Sequence, residues 1–204
     1  MYSTSQIKVK KKKAHWKEHG LGRFMRHIIF GAEDGLISTL GFLSGVTGAH
    51  LSKLTIVIVG ISEVFAAALS MGIGTYLSSK SQREVQERNI ELEKVEIEKT
   101  PKREKREIEE MYRKKGFKGK ELEKIVNKIM SNKKVILGEM MTSELGIVPG
   151  KIENPIISAG VMFGTFLLLA MIPLLPYLFF NVDKAIIVSV TATVLTLFCV
   201  GALK

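Results

Sequence analysis

Four long stretches of this chain, at about 28–49, 54–77, 156–180 and 185–203, are nearly free of lysine and arginine. Each runs to about 19–25 residues, and about 20 residues at 1.5 Å rise cross a hydrocarbon core of about 30 Å. A very polar block, 80–151, separates the second stretch from the third. The overall composition, 46% hydrophobic and 25% charged, is ordinary for a soluble protein; only its distribution is unusual. The chain therefore reads as two membrane hairpins flanking a water-soluble insert. The expected fold class is all-α, a polytopic membrane protein with four transmembrane helices and a three-helix insert. The expected division is a basic segment 1–26, transmembrane helices in 27–78, a soluble helical domain 79–151 and transmembrane helices in 152–204.

Orientation follows from the positive charge. Residues 1–26 hold 8 of the 30 Lys and Arg, and 80–151 hold 19. Both regions are expected in the cytoplasm, with the short connections 50–53 and 181–184 outside. The net charge of +10 raises nucleic acid as a partner, but no aromatic-interleaved basic motif accompanies it and the charge obeys the positive-inside pattern. The run KVKKKK at 8–13 reads as a juxtamembrane segment favouring anionic lipid. A cleaved signal peptide is rejected, because the first apolar run is too long and contains Glu33 and Asp34. Cys199 is the single cysteine, which excludes an intrachain disulfide or a thiolate cluster.

Few polar groups interrupt the apolar stretches: Glu33, Asp34 and Glu63, with His27 at the edge of the first. A carboxylate near the bilayer centre costs about 2.5–3.5 kcal/mol on insertion scales, so a retained one faces protein, water or an ion. Glu63 lies close to mid-membrane in the second stretch. Met71 follows eight residues later, about 80° around a helix at 100° per residue, and can share a cavity wall with it. Gly31/Gly35, Gly41/Gly45, Gly160/Gly164 and Ser70/Gly74 are small-residue pairs at the spacing of tight helix packing. Pro173 and Pro176 loosen the end of the third stretch and are expected to place Tyr177 near the outer interface.

The insert is helical in pattern and broken at Thr100-Pro101, where Thr100 can cap and Pro101 can open a new helix. A third helix fits 121–145, ending at Gly146 before Pro149, with a potential interruption near Asn132. Glutamates on such helices usually form i,i+4 ion pairs on a solvated face. Glu93/Glu96 and Glu104/Glu107 depart from that, since i,i+3 spacing puts each pair of carboxylates on one face. If the helices on either side of Pro101 are taken in a single phase, those four fall within an arc of about 80°, and Glu84, Glu87, Glu91, Glu98 and Glu109 fall on the opposite side. Met140, Met141 and Glu144 share one helical turn, and two thioethers beside a carboxylate suit a borderline ion such as Fe²⁺ better than Ca²⁺ or Mg²⁺.

Taken together, FGAEDGLISTLGFLSGVTGA in the first stretch, EVFAAALSMGIGTYLSSKSQ in the second, the ExxE pairs about Pro101, MYRKKGF at 111–117, MMTSEL at 140–145 and PLLPYLF at 173–179 resemble the vacuolar iron transporter family. The resemblance runs along nearly the whole chain. It implies exchange of cytosolic Fe²⁺ for protons by a homodimer, with Asp34, Glu63 and Met71 lining the translocation path. It further implies that Glu93, Glu96, Glu104, Glu107, Met140, Met141 and Glu144 bind metal on the cytoplasmic side. His27 stands where the family usually has aspartate, and as an imidazole it can bind metal or carry a proton near neutral pH at the entrance of that path. The family normally has five spans and four are expected here, which points to a short form or a truncated sequence.

The expected function is export of Fe²⁺, with Mn²⁺, Co²⁺ and Zn²⁺ as further cargoes, against inward protons, by a protein that is not an enzyme and carries no prosthetic group. The expected partners are membrane lipids, divalent ions, protons and a second copy, with no nucleic acid. A cell membrane is the expected location because no organelle-targeting segment is evident. The alternative is a membrane-anchored metal buffer or sensor that does not conduct. A di-iron carboxylate enzyme would require Glu-x-x-His pairs, and His15, His19, His27 and His50 all precede the insert.

Overall fold

The structure, a computed structural model, describes the backbone of residues 4–148 and 152–202, with side chains at position 22 and from 24 onward. The KVKKKK run and Pro149 lie outside the described side chains. Among the described residues there are seven helices and no strand: α1 Thr4–Gly48, α2 Lys53–Lys99, α3 Pro101–Lys114, α4 Gly119–Met130, α5 Lys133–Ser143, α6 Pro155–Phe179 and α7 Val182–Ala202. They fall into two units, one of residues 1–78 with 155–204 and one of residues 79–154.

In the first unit α2, α6 and α7 are long and apolar enough to cross a membrane. Only 28%, 28% and 17% of their apolar windows are buried inside the protein. Phe65, Leu69, Leu168 and Phe198 are among the large side chains left facing outward, a surface that suits lipid and not water. The remaining apolar stretch forms the second half of α1, where Glu33, Asp34 and several glycines dilute its hydropathy.

α1 packs along α6 and α7, and α6 packs on α7. The core joins Leu43 of α1, Ile56, Val64 and Ala68 of α2, Phe166, Ala170, Leu174 and Tyr177 of α6, and Ala185 of α7. Close approach of α1 to α6 depends on Gly31 and Gly35. A Cβ on Gly35 would lie 2.9 Å from the Phe166 carbonyl oxygen, and one on Gly31 would lie 3.1 Å from Met162 Sδ. On α2, a Cβ on Gly60 would lie 2.7 Å from Leu174 Cδ1 and 2.9 Å from Leu43 Cδ2, both side-chain ends, and one on Gly72 would lie 3.2 Å from Phe163 Cβ. Gly41, Gly45, Gly74, Gly160 and Gly164 meet nothing within 4 Å. Small-residue spacing therefore marks close packing at one of the expected pairs only, because spacing defines a helix face without saying which face has a neighbour.

Tyr177, two residues before the end of α6, is fully buried, and its hydroxyl bonds Thr47 Oγ1 at 3.0 Å near the end of α1. α6 contains Pro173 and Pro176, each lacking one helical N–H. Ser189 of α7, also fully buried, donates to the Pro173 carbonyl at 2.8 Å and ties the two helices together there.

The second unit holds four helical segments, the end of α2 with α3, α4 and α5, where three were expected with a potential interruption of the third near Asn132. The extra break lies at Asn132. That residue is extended (φ −144, ψ 116), and its side chain accepts from the Lys134 N–H at 2.9 Å, capping α5. At the other break Thr100 does not cap α3; its hydroxyl donates to the Glu96 carbonyl at 3.0 Å and closes α2 instead. Pro101 opens α3 where its missing N–H costs nothing. Ile97, Ile108, Leu122, Val126, Ile129, Ile136 and Met140 form the core. Beyond α5 the chain turns at Gly146, whose φ of +63 suits glycine.

Candidate functional site

The second unit sorts its glutamates into two sets. Glu84, Glu87, Glu91, Glu98 and Glu109 pair with Lys80, Arg83, Lys94, Lys133 and Arg113 on the surface. The hydrogen bond from Lys133 holds Glu98 below its ordinary range. Such exposed pairs are screened by solvent and contribute little to stability; they describe a solvated face.

The other set is different. Glu93 at the end of α2 is 5% exposed, and Glu104, in the first turn of α3, is fully buried. No hydrogen-bond partner reaches Glu93 Oε1 or either oxygen of Glu104. The two carboxyl groups lie against one another, so they can bond only when one holds a proton. Burial, then Glu144, Glu104 and Glu96, push the Glu93 carboxyl up to about 7. Burial, then Glu107, raises Glu104, and burial followed by Glu107 and Glu96 raises Glu144. Glu144 also occupies the C-cap of α5, at the negative end of its dipole. Glu93, Glu96, Glu104, Glu107 and Glu144 thus gather negative charge from three helices, and Arg103, bonded to Glu107 at 2.8 Å, offsets part of it.

Among the described residues no three His, Cys, Asp or Glu side chains form a closed metal-holding group. What the set has is carboxylate oxygens lacking donors, which a proton or a cation satisfies. Met140 is fully buried in the apolar core and Met141 is half-buried, while Glu144 stays open to solvent on one side even though its neighbours desolvate part of its carboxyl. Beside them Glu107, Met111, Ser143 and Glu144 line a cavity of about 200 Å³. Met111, which the sequence did not single out, lies four residues after Glu107 and seven after Glu104, on the same face of α3, and also packs against the core.

A pH prediction follows from Glu93. Its carboxyl is raised in the folded protein above the 4.5 of an ordinary glutamate, so folding favours the protonated form. Stability is then expected to fall as pH rises from about 4.5 to about 7 and to level off above. Thermal melts of the detergent-solubilised full chain with a chelator, from pH 5 to 8, check this. Glu93→Gln is expected to make the profile shallower, with the raised Glu104 and Glu144 carboxyls supplying the slope that remains.

In the first unit His27 and Asp34 lie seven residues apart, on one stripe of α1. His27 is 4% exposed, Asp34 half-buried and Glu33 exposed. Glu63 of α2 is half-buried, interacts electrostatically with Asp34 and accepts a hydrogen bond at 3.2 Å from Thr39 Oγ1. Thr39 is fully buried and was not singled out from the sequence, since threonine in an apolar helix carries no signal of its own. Met71 is half-buried against the core, about 12 Å along α2 from Glu63 at 1.5 Å per residue.

A vacuolar iron transporter from Centaurea cyanus is 36% identical over 191 residues, covering 92% of this chain and 78% of that relative. Vacuolar iron transporter 2 of Oryza sativa subsp. japonica is 33% identical over 192 residues, covering 93% and 78%. The vacuolar iron transporter of Plasmodium falciparum (isolate 3D7) is 33% identical over 201 residues, covering 93% and 74%. The VIT family model matches residues 25–204. The chain belongs to the VIT family. That match takes in every acid described above, those of α1 and α2 and those of the second unit alike. VIT family membership and the three apolar helices together make this a membrane protein.

Proposed function

We propose that this protein moves Fe²⁺ across a membrane, out of the cytosol, in exchange for protons. The observation that carries the reading is Glu63, an acid within an apolar helix that bonds Thr39 and interacts with Asp34, in a chain whose relatives are named vacuolar iron transporters. An acid retained in such a helix is a functional group by default. In this reading the second half of α1 is a fourth span, and the second unit is cytoplasmic, as the positive-inside pattern requires.

Glu93, Glu96, Glu104, Glu107 and Glu144, with Met141 and Met140, capture the ion from the cytosol. Its charge replaces the proton shared by the buried carboxyls. Met140 takes part only by leaving the core that now encloses it. His27, Asp34, Glu63 and Met71 line the translocation path and substitute for part of the ion's water shell. Protonation of the path carboxylates from the far side releases the ion. Mn²⁺, Co²⁺ and Zn²⁺ are further cargoes in the same donor set, the working assembly is a homodimer, and the membrane is that of the cell.

Proteoliposomes containing the full chain test this with an imposed pH gradient, acid on the side that receives the ion. Fe²⁺ flux is expected to rise several-fold with the gradient. Flux indifferent to it refutes exchange, and binding without flux would leave a non-conducting metal buffer.

A further inference from the structure

Hydroxyls in apolar helices normally bond the carbonyl four residues back in their own helix, which satisfies them without a neighbour. Ser38, Ser44, Ser62, Thr191 and Thr196 all do so here. Thr39 does otherwise. It is fully buried, next in sequence to Ser38, and its Oγ1 crosses from α1 to donate to Glu63 Oε2 on α2 at 3.2 Å. A threonine hydroxyl has one proton to give. The one on Thr39 goes to the acid.

We propose that Thr39 is a positioning residue for ion transfer, holding Glu63 Oε2 so that Oε1 is the oxygen offered to the cargo ion. The inference rests on the reading of Glu63 as a group of the path. A glutamate has three side-chain torsions, and holding one carboxylate oxygen restricts the rotamers available to it. The hydroxyl also stabilises the charged carboxylate. Fixing one oxygen sets how the other meets an ion, as hydrogen bonds to metal-binding side chains generally do. Asp34, the other acid interacting with Glu63, is an acceptor when charged and cannot supply this bond.

Two substitutions separate the bond from simple packing. Thr39→Val keeps the shape and removes the hydroxyl; Thr39→Ser keeps the hydroxyl and removes the methyl. Measured as Fe²⁺ flux into proteoliposomes over a range of Fe²⁺ concentrations, Thr39→Val is expected to raise KM about tenfold with a smaller change in maximal rate, the size of effect typical for loss of such a partner. Thr39→Ser is expected to stay within about twofold of the parent. A parental KM for Thr39→Val, or a Thr39→Ser variant impaired as much as Thr39→Val, overturns the proposal and leaves Thr39 as packing. Glu63→Gln in the same assay tells the two readings apart. Parental flux there removes Glu63 from the path and the proposal with it, whereas lost flux beside a parental Thr39→Val removes the Thr39 role alone.

Discussion

Replacing Glu63 with glutamine is expected to reduce Fe²⁺ flux in proteoliposomes at least about 100-fold while leaving the protein folded. Glutamine has nearly the same shape, and its carbonyl oxygen can accept the bond that Thr39 Oγ1 now gives to Glu63. Charge is what it lacks. A divalent ion leaving water for a passage between apolar helices needs compensating negative charge. Removing one partner of a desolvated charge pair costs about 3–5 kcal/mol, and each 1.4 kcal/mol is a factor of ten. Glutamine also cannot take up and release a proton, so residual flux should no longer respond to the pH gradient. Flux within about threefold of the parent would show that Glu63 is a buried structural acid.

The second large effect concerns the fold. Gly35→Val is expected to destabilise the detergent-solubilised protein by about 3 kcal/mol or more, which at this chain length lowers the melting temperature by roughly 10 °C. A Cβ there would sit 2.9 Å from the Phe166 carbonyl oxygen and 3.3 Å from the Ala170 nitrogen. Both are backbone atoms of α6, so relief requires a helix and not a side chain to move. Since α1 also carries Asp34 and Thr39, pushing it from α6 should disturb the bond to Glu63 as well. Gly41→Val, on the same helix where nothing lies within 4 Å, is the matched control and should melt close to the parent. Similar melting of both variants would mean that the α1–α6 approach is looser than described.

These two positions show how unevenly the sequence could be read. Glu63 stands out in the amino-acid string, because a lone acid in a long apolar run has a cost that demands a reason. Gly35 does not stand out from Gly41 or Gly160; all three occur in the same four-residue spacing, and only the neighbour across the gap distinguishes them. The surface glutamates were legible for a similar reason. Ion pairs such as Arg83–Glu87 and Arg113–Glu109 join residues four apart on one helix, and local spacing captures them. The contact of Glu93 with Glu104 is also close in sequence, yet it depends on how α3 departs from α2 at Pro101, which spacing does not specify.

Helical class, the alternation of apolar and polar blocks, and the presence of membrane-crossing helices were determined by the sequence alone. They follow from periodicity, length and the cost of burying charge, all of which act along the chain. Only the tertiary structure decided that Tyr177 turns inward to Thr47, that Met140 is a core side chain and Met111 lines a cavity, and that Thr39 bonds Glu63. Each of these depends on a partner from another helix. Such contacts are fixed by which helix faces meet, and the order of residues within one helix carries no record of that.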